Sequence, residues 1–264
     1  SDCARLEVEG AAYATIIAKT MEMLFLIGYT IKDKPEFISC SVYKRIDWAL
    51  FGRILKKGSL LIISQMMWVL SESFTAAIYN GRGNAAVVSG MAASFSIANL
   101  FFISFDGITT ATGVLIGKSL GNNKLDYAKK EKTWMLSAAV MFGCAMCLIG
   151  VITVLLVPVV FGNLSMDAQN ICRAMLLMMA FFMPLWTYVN TQLAVCRAGG
   201  DTRVGFLVDG GATAAMVPLL LIMAFFTSAS PITMYFAVKV LDVGKIMVAN
   251  HELKKERWVV NLSN

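Results

Sequence analysis

Charged side chains are too few in this chain to coat a water-soluble domain: they make up 15% of 264 residues, against 58% hydrophobic. That shortage excludes an ordinary globular protein, which needs polar groups over its apolar interior. Histidine is almost absent. The single His251 has no catalytic company, and there is no P-loop, GxGxxG fingerprint or hydrolase triad, so an enzyme is not expected. Six cysteines are scattered without a paired framework. Cys144 and Cys147 form a lone CxxC without the second ligand pair of a zinc site, so no metal is expected. Acidic residues are the minority charge, 17 against 23 Lys and Arg, for a net charge of +6. The basic excess gathers in loops between apolar runs, which points to an anionic membrane leaflet as partner and not to nucleic acid.

Long apolar runs are what the chain has in plenty, and its mean hydropathy is +0.68. Roughly 20 apolar residues span a bilayer as a helix. Seven stretches qualify, at 10–31, 57–79, 85–117, 133–158, 168–196, 204–227 and 231–250. The fold class is therefore all-α, a polytopic membrane protein with about seven transmembrane helices. Basic residues fill every second gap. Residues 32–56 hold Lys32, Lys34, Lys44, Arg45, Arg53 and Lys56, whereas the next gap holds only Arg82. Lys118, Lys124, Lys129, Lys130 and Lys132 follow the third span, and the gap 159–167 has none. Arg197 and Arg203 flank the next turn, 228–230 is uncharged, and the tail holds Lys254, Lys255 and Arg257. The alternation predicts an N-terminus outside and a cytoplasmic C-terminus. The chain opens on Ser1 without signal-peptide character, so it is expected to be a fragment or a processed piece.

Turn chemistry fits these boundaries. Gly199-Gly200 can end one helix through the left-handed cap conformation, and Asp201 or Thr202 can cap the next. Gly121-Asn122-Asn123 does the same after the third span. Lys124 to Lys132 reads as a short polar helix along the inner surface, and Pro231 suits a first helical turn. Pro184 and Pro218 fall inside spans, where they are expected to bend the helix. Residues 32–56 read as the one linker, carrying Phe37, Ile38 and Trp48 against the membrane.

Charge inside a bilayer is costly and usually faces a cavity or a partner. Glu72 lies deep in its span, a turn beyond Trp68, flanked by Ser71 and Ser73, with Gln65 earlier. It reads either as an ion-coupling carboxylate or as an acid solvated at the outer mouth. Asp209 reads as an inner-mouth acid paired with Arg203, or as a second coupling acid. Asp242 and Lys245, three apart, can pair on one helix face. Asp106 sits beside Gly107 in a long span, with its direction undetermined. Lys19, Arg173 and Lys239 are expected to snorkel from span ends. The 17 methionines read as packing, or as the lining of a cavity for bulky, varied ligands.

The run Cys196-Arg197-Ala198-Gly199-Gly200-Asp201-Thr202-Arg203, followed by Asp209, resembles the multidrug and toxic compound extrusion (MATE) family, where an RaGGDTrf…lD stretch joins two helices. Tyr79-Asn80-Gly81-Arg82-Gly83 is similar to that family's YGRxG outer turn, and Ile116 to Gly121 to its iGkxLG inner turn. Trp258-Val259-Val260-Asn261-Leu262 resembles the kWvxNLt ending of a prokaryotic branch, and Gly10-Ala11-Ala12 with Ala14-Thr15 the start of a sixth helix. The resemblance implies two six-helix lobes. On that basis 1–31 is the last helix of an otherwise missing N-terminal lobe, 32–56 the cytoplasmic inter-lobe linker and 57–264 the C-terminal lobe with its tail. It also implies efflux of drugs or organic cations by alternating access, in a bacterial inner membrane. No cofactor is implied beyond a coupling ion, Na⁺ or H⁺. Some members use acids on the seventh and tenth helices. Glu72 lies on the seventh, about a turn from the aligned position. On the tenth, Trp186 stands at the expected place, with Asn190 a turn later. Ser64 and Asp242 stand where the branch has Asn and Glu. The alternatives are a lipid-linked oligosaccharide flippase, which predicts more basic residues in the cavity, and a non-transporting truncated membrane protein.

Overall fold

The computed structural model describes residues 8–33 and 47–260. Seven helices follow in order: α1 (Val8–Asp33), α2 (Trp48–Arg82), α3 (Ala85–Gly121), α4 (Leu125–Val160), α5 (Met166–Ala198), α6 (Arg203–Phe226) and α7 (Pro231–Lys254). The protein is an all-α, polytopic membrane protein. The first six helices are long and apolar enough to cross a bilayer. The last is long enough, at 24 residues, but Lys239, Asp242 and Lys245 interrupt its apolar run.

Two compact units divide at Arg53 and Ile54. In the first, α1 turns apolar side chains such as Phe25 and Met21 outward, and Lys19 pairs with Glu22 at 2.7 Å. Lys19 is thus held by its own helix neighbour. The second unit contains α2 from Ile54 onward, α3 to α7 and the tail. Most of the expected linker, 34–46, and Asn261–Leu262 of the ending lie outside the described residues.

Trp48 to Lys56, the last part of the expected linker, is helical and forms the first turns of α2. One expectation about elements needs correction. Lys124 to Lys132 is not a separate surface helix. Lys124 is the cap residue, and α4 runs unbroken from Leu125 to Val160, because neither glycine nor proline stands between the polar turns and Thr133. The turns otherwise behave as their residues dictate. Asn84, Ser165 and Ser230 each accept a backbone N–H at a helix start, and Pro231 opens α7. Asn123 and Gly200 adopt left-handed φ of 57° and 77°. Thr202 holds the cap position of α6 without a side-chain cap bond. Both α5 and α6 continue through Pro184 and Pro218.

α5 is the axis of the second unit, packing against α3, α4 and α7, while α6 pairs with α7. Small residues let α4 approach it. A Cβ on Gly150 would stand 2.8 Å from Ala180 Cβ, and one on Gly143 would overlap Pro184 Cα. The methionines at 91, 175, 179, 183 and 234 are buried packing between these helices. α2 joins the group through long side chains. Tyr79 meets the Tyr235 ring, and Ser71 Oγ lies 3.8 Å from Met216 Sδ. Arg82 donates to the carbonyls of Met223 and Thr227, both at 2.9 Å. Arg82 therefore caps the α6 C-terminus.

At the opposite end the tail folds back. Trp258 is buried among Leu120, Ala128, Cys196, Val204 and Leu253, and its indole N–H donates to the Leu253 carbonyl at 3.4 Å. Glu256, at φ 53°, makes the reversal. Its carboxylate accepts from Lys129 Nζ at 2.5 Å, which holds its pKa below the ordinary glutamate range. A depressed folded pKa stabilises the docked tail at neutral pH, and that contribution is lost as pH falls through the lowered value. The pair is exposed, so the effect is small. Glu256→Gln should loosen the tail at neutral pH and remove its acid-side loosening. Amide hydrogen exchange of residues 255–260 reads both; parent-like protection at every pH would contradict the link.

Candidate functional site: a charged crevice between α2, α6 and α7

Each helix contributes charge from one face. On α7, Lys239, Asp242 and Lys245 recur every three residues, so they line one stripe. On α6, Asp209 follows the buried Val208 and precedes Gly210, whose bare backbone admits Met67 of α2. On α2, Ser64, Ser71 and Glu72 face the same gap. The result is a crevice lined by Trp68, Glu72, Asp209, Thr213, Lys239, Asp242 and Lys245.

The contacts inside it are specific. Asp242 is 7% exposed. One of its oxygens accepts the Trp186 indole N–H at 2.8 Å, and the other lies 3.0 Å from Lys245 Nζ. Lys239 Nζ is 3.8 Å from Glu72. It also stands 5.0 Å from the Trp186 ring centre and 5.1 Å from that of Tyr235, so two aromatic faces help replace its water. Asp209 accepts one hydrogen bond, from Ser64 Oγ at 2.7 Å. Among the described residues it forms no ion pair. Three carboxylates thus face two ammonium groups, and the unmatched charge is that of Asp209. The space left between them is about 20 Å³, room for roughly one water-sized occupant and not for a drug.

The structure brings together Glu72, Asp209, Asp242 and Lys245, and leaves the other candidates elsewhere. Gln65 is exposed on α2, and Asp106 is exposed on α3. Asn190 donates to the Trp186 carbonyl within α5. Two expectations are overturned. Asp209 pairs with the Ser64 hydroxyl and not with Arg203, which is exposed six residues away. Lys239 does not snorkel: its side chain is 14% exposed and turned to Glu72 and the rings. Lys239 and Trp186 are members the sequence reading placed otherwise, the first at a span end and the second only where an acid is expected on the tenth helix. The three-residue spacing with Asp242 and Lys245 marks the first. Nothing in the sequence joins Trp186 to Asp242, 56 residues apart.

Arg197, Gly199, Gly200, Asp201 and Arg203 build the α5–α6 turn, and the Arg197 guanidinium reaches Gly205, which also neighbours the Ser64 hydroxyl. The amide of Gly200 bonds the Arg197 carbonyl, and that of Asp201 bonds the Cys196 carbonyl, both at 2.9 Å. Gly199 is buried under Trp258: a Cβ there would collide with the Trp258 backbone. The glycine pair and the tail tryptophan are two halves of one contact.

Over residues 61–226 the sequence matches the MatE family model, a stretch longer than half the chain. The chain belongs to the MatE family. No curated protein and no solved structure matches it. MatE proteins are membrane transporters and not enzymes. The matched stretch runs from α2 to the last residue of α6 and contains Glu72 and Asp209. Lys239, Asp242 and Lys245 come from α7, beyond it.

Proposed function

We propose that residues 57–264 work as one lobe of a secondary active MatE antiporter, exporting drugs or other organic cations in exchange for Na⁺ or H⁺. Residues 1–31 are read as the last helix of the other lobe and 32–56 as the cytoplasmic connection. The basic loops support an N-terminus outside and a C-terminus in the cytoplasm, and the tail motif supports a bacterial inner membrane. The observation that carries the proposal is Asp209, an acid that forms no ion pair among the described residues, in a crevice with room for one small occupant. An uncompensated carboxylate within a membrane costs about 3 kcal/mol. A proton or Na⁺ that removes this cost shifts a two-state equilibrium by on the order of a hundredfold, enough to drive reorientation of one lobe against another. The net negative charge speaks against a pyrophosphate-linked substrate.

The test is flux in everted vesicles from cells expressing the protein as its gene encodes it. An imposed H⁺ or Na⁺ gradient is expected to drive uptake of a fluorescent organic cation such as ethidium. Uptake indifferent to both gradients would sink the antiport reading, and the gradient that works names the ion.

A further inference from the structure

A second cavity lies at the basic end of the helices, away from the charged crevice. It is a groove of about 360 Å³ between α4, α5 and α7. Lys132 and Lys254 are among its lining residues, and Thr133, Ser137, Tyr188 and Asn250 supply polar groups. No acid lines it. The acids nearest in sequence have other partners: Glu131 accepts from Ser119 Oγ at 2.5 Å, Glu252 pairs with Lys255, and Glu256 pairs with Lys129 while also feeling the Lys132 charge. Neither Lys132 nor Lys254 makes an ion pair among the described residues; Lys132 stands 5.8 Å over the Trp258 ring. The wall is also built from within. Asn250 Oδ1 accepts from Gln192 Nε2 at 2.5 Å and from Tyr188 Oη at 3.3 Å. Gln192 is fully buried, so Asn250 is anchored, and Asn250 Nδ2 donates no hydrogen bond among the described residues.

We infer that this groove binds the phosphate headgroup of an anionic phospholipid. Two ammonium groups outside any ion pair, the Ser137 hydroxyl and the Asn250 amide match a phosphodiester, whose oxygens only accept; the Thr133 and Tyr188 protons are already given to Lys129 and Asn250. Three features favour a lipid over a soluble phosphate. Lys254 ends α7 and Lys132 stands about two turns into α4, and Val140 of α4, eight residues beyond Lys132, lines the groove about 12 Å farther along the helix. Charge at the mouth and an aliphatic wall farther in match a headgroup followed by its acyl chain. On the same helix, exposed Tyr127 and Trp134 meet edge to face at 6.1 Å, as aromatic residues do at headgroup level. Basic pockets between membrane helices recognise anionic headgroups by this chemistry. The inference does not depend on ion coupling in the crevice.

The test is native mass spectrometry of the delipidated protein, titrated with phosphatidylglycerol or phosphatidylcholine in neutral detergent. Phosphatidylglycerol should be preferred about tenfold or more. Lys132→Gln/Lys254→Gln should abolish the preference, whereas Lys124→Gln/Lys130→Gln, on exposed lysines outside the groove, should retain it. Ser137→Phe, which fills the groove from an exposed position and keeps both charges, should also reduce binding. Undiminished preference in Lys132→Gln/Lys254→Gln overturns the site. Equal binding of phosphatidylcholine by the parent overturns the headgroup. Full competition by millimolar inorganic phosphate overturns the lipid in favour of a soluble anion.

Discussion

Gly199→Ala is expected to lower the stability of the folded lobe by about 3 kcal/mol, the upper end of the range for overpacking. The reason is steric and not conformational. Gly199 carries the C-cap of α5 at φ −86°, which any residue adopts. The added methyl would meet the carbonyl, carbonyl carbon and Cα of Trp258, all backbone, which no rotamer change can move aside. Either the α5–α6 turn shifts or the tail leaves. Departure of the tail exposes Trp258, whose burial closes the core cluster at the basic end. Trp258→Ala should therefore cost a similar amount, about 3–5 kcal/mol, and the double variant little more than either alone, because both break one contact. Gly200→Ala offers the contrast: at φ 77° it pays backbone strain of about 1–2 kcal/mol and leaves the tail in place. Thermal unfolding followed by size-exclusion chromatography in detergent orders the four. A Gly199→Ala protein that melts with the parent would show that the tail does not sit on this turn.

Asp209→Asn is expected to abolish gradient-driven transport, with a loss on the order of a hundredfold, while leaving the protein folded. Asparagine keeps the shape and can still accept the Ser64 hydroxyl, so the α2–α6 contact persists. What disappears is the unmatched negative charge, and with it the reason for a cation to enter. Ser64→Ala is the complementary change. It removes one hydrogen bond, about 1 kcal/mol, and keeps the charge, so transport should survive with an altered cation dependence. Asp106→Asn, on an exposed face of α3, should be silent. The readout is ion-gradient-driven uptake in vesicles, normalised to protein that elutes as a single folded peak. Retention of gradient-driven flux by Asp209→Asn would remove this acid from the mechanism and leave Glu72 or Asp242 to carry it.

The chain's own order of residues determined its class, its spans and its turns. Roughly 20 apolar residues force a helix in lipid because backbone groups there must pair within the segment. Asn84, Ser165 and Ser230 cap where they stand because a short polar side chain reaches only its own first turn. These are local effects, and a linear reading reaches them. It failed where continuity was in question: the lysines from Lys124 to Lys132 suggested a break, but charge does not end a helix, and α4 passes through. Which side of each helix faces its neighbours was decided only by the tertiary structure. In a soluble helix the polar face points to water, so periodicity reveals the buried side. In lipid both sides are apolar, and that signal is gone. Gln65 and Asp106 stood among the candidates with Asp209 in the sequence, yet both are exposed on their helices, whereas Lys239 turns inward. The convergence of Glu72, Asp209 and Asp242 from three helices, and the meeting of Trp186 with Asp242, depend on how those helices rotate and pack.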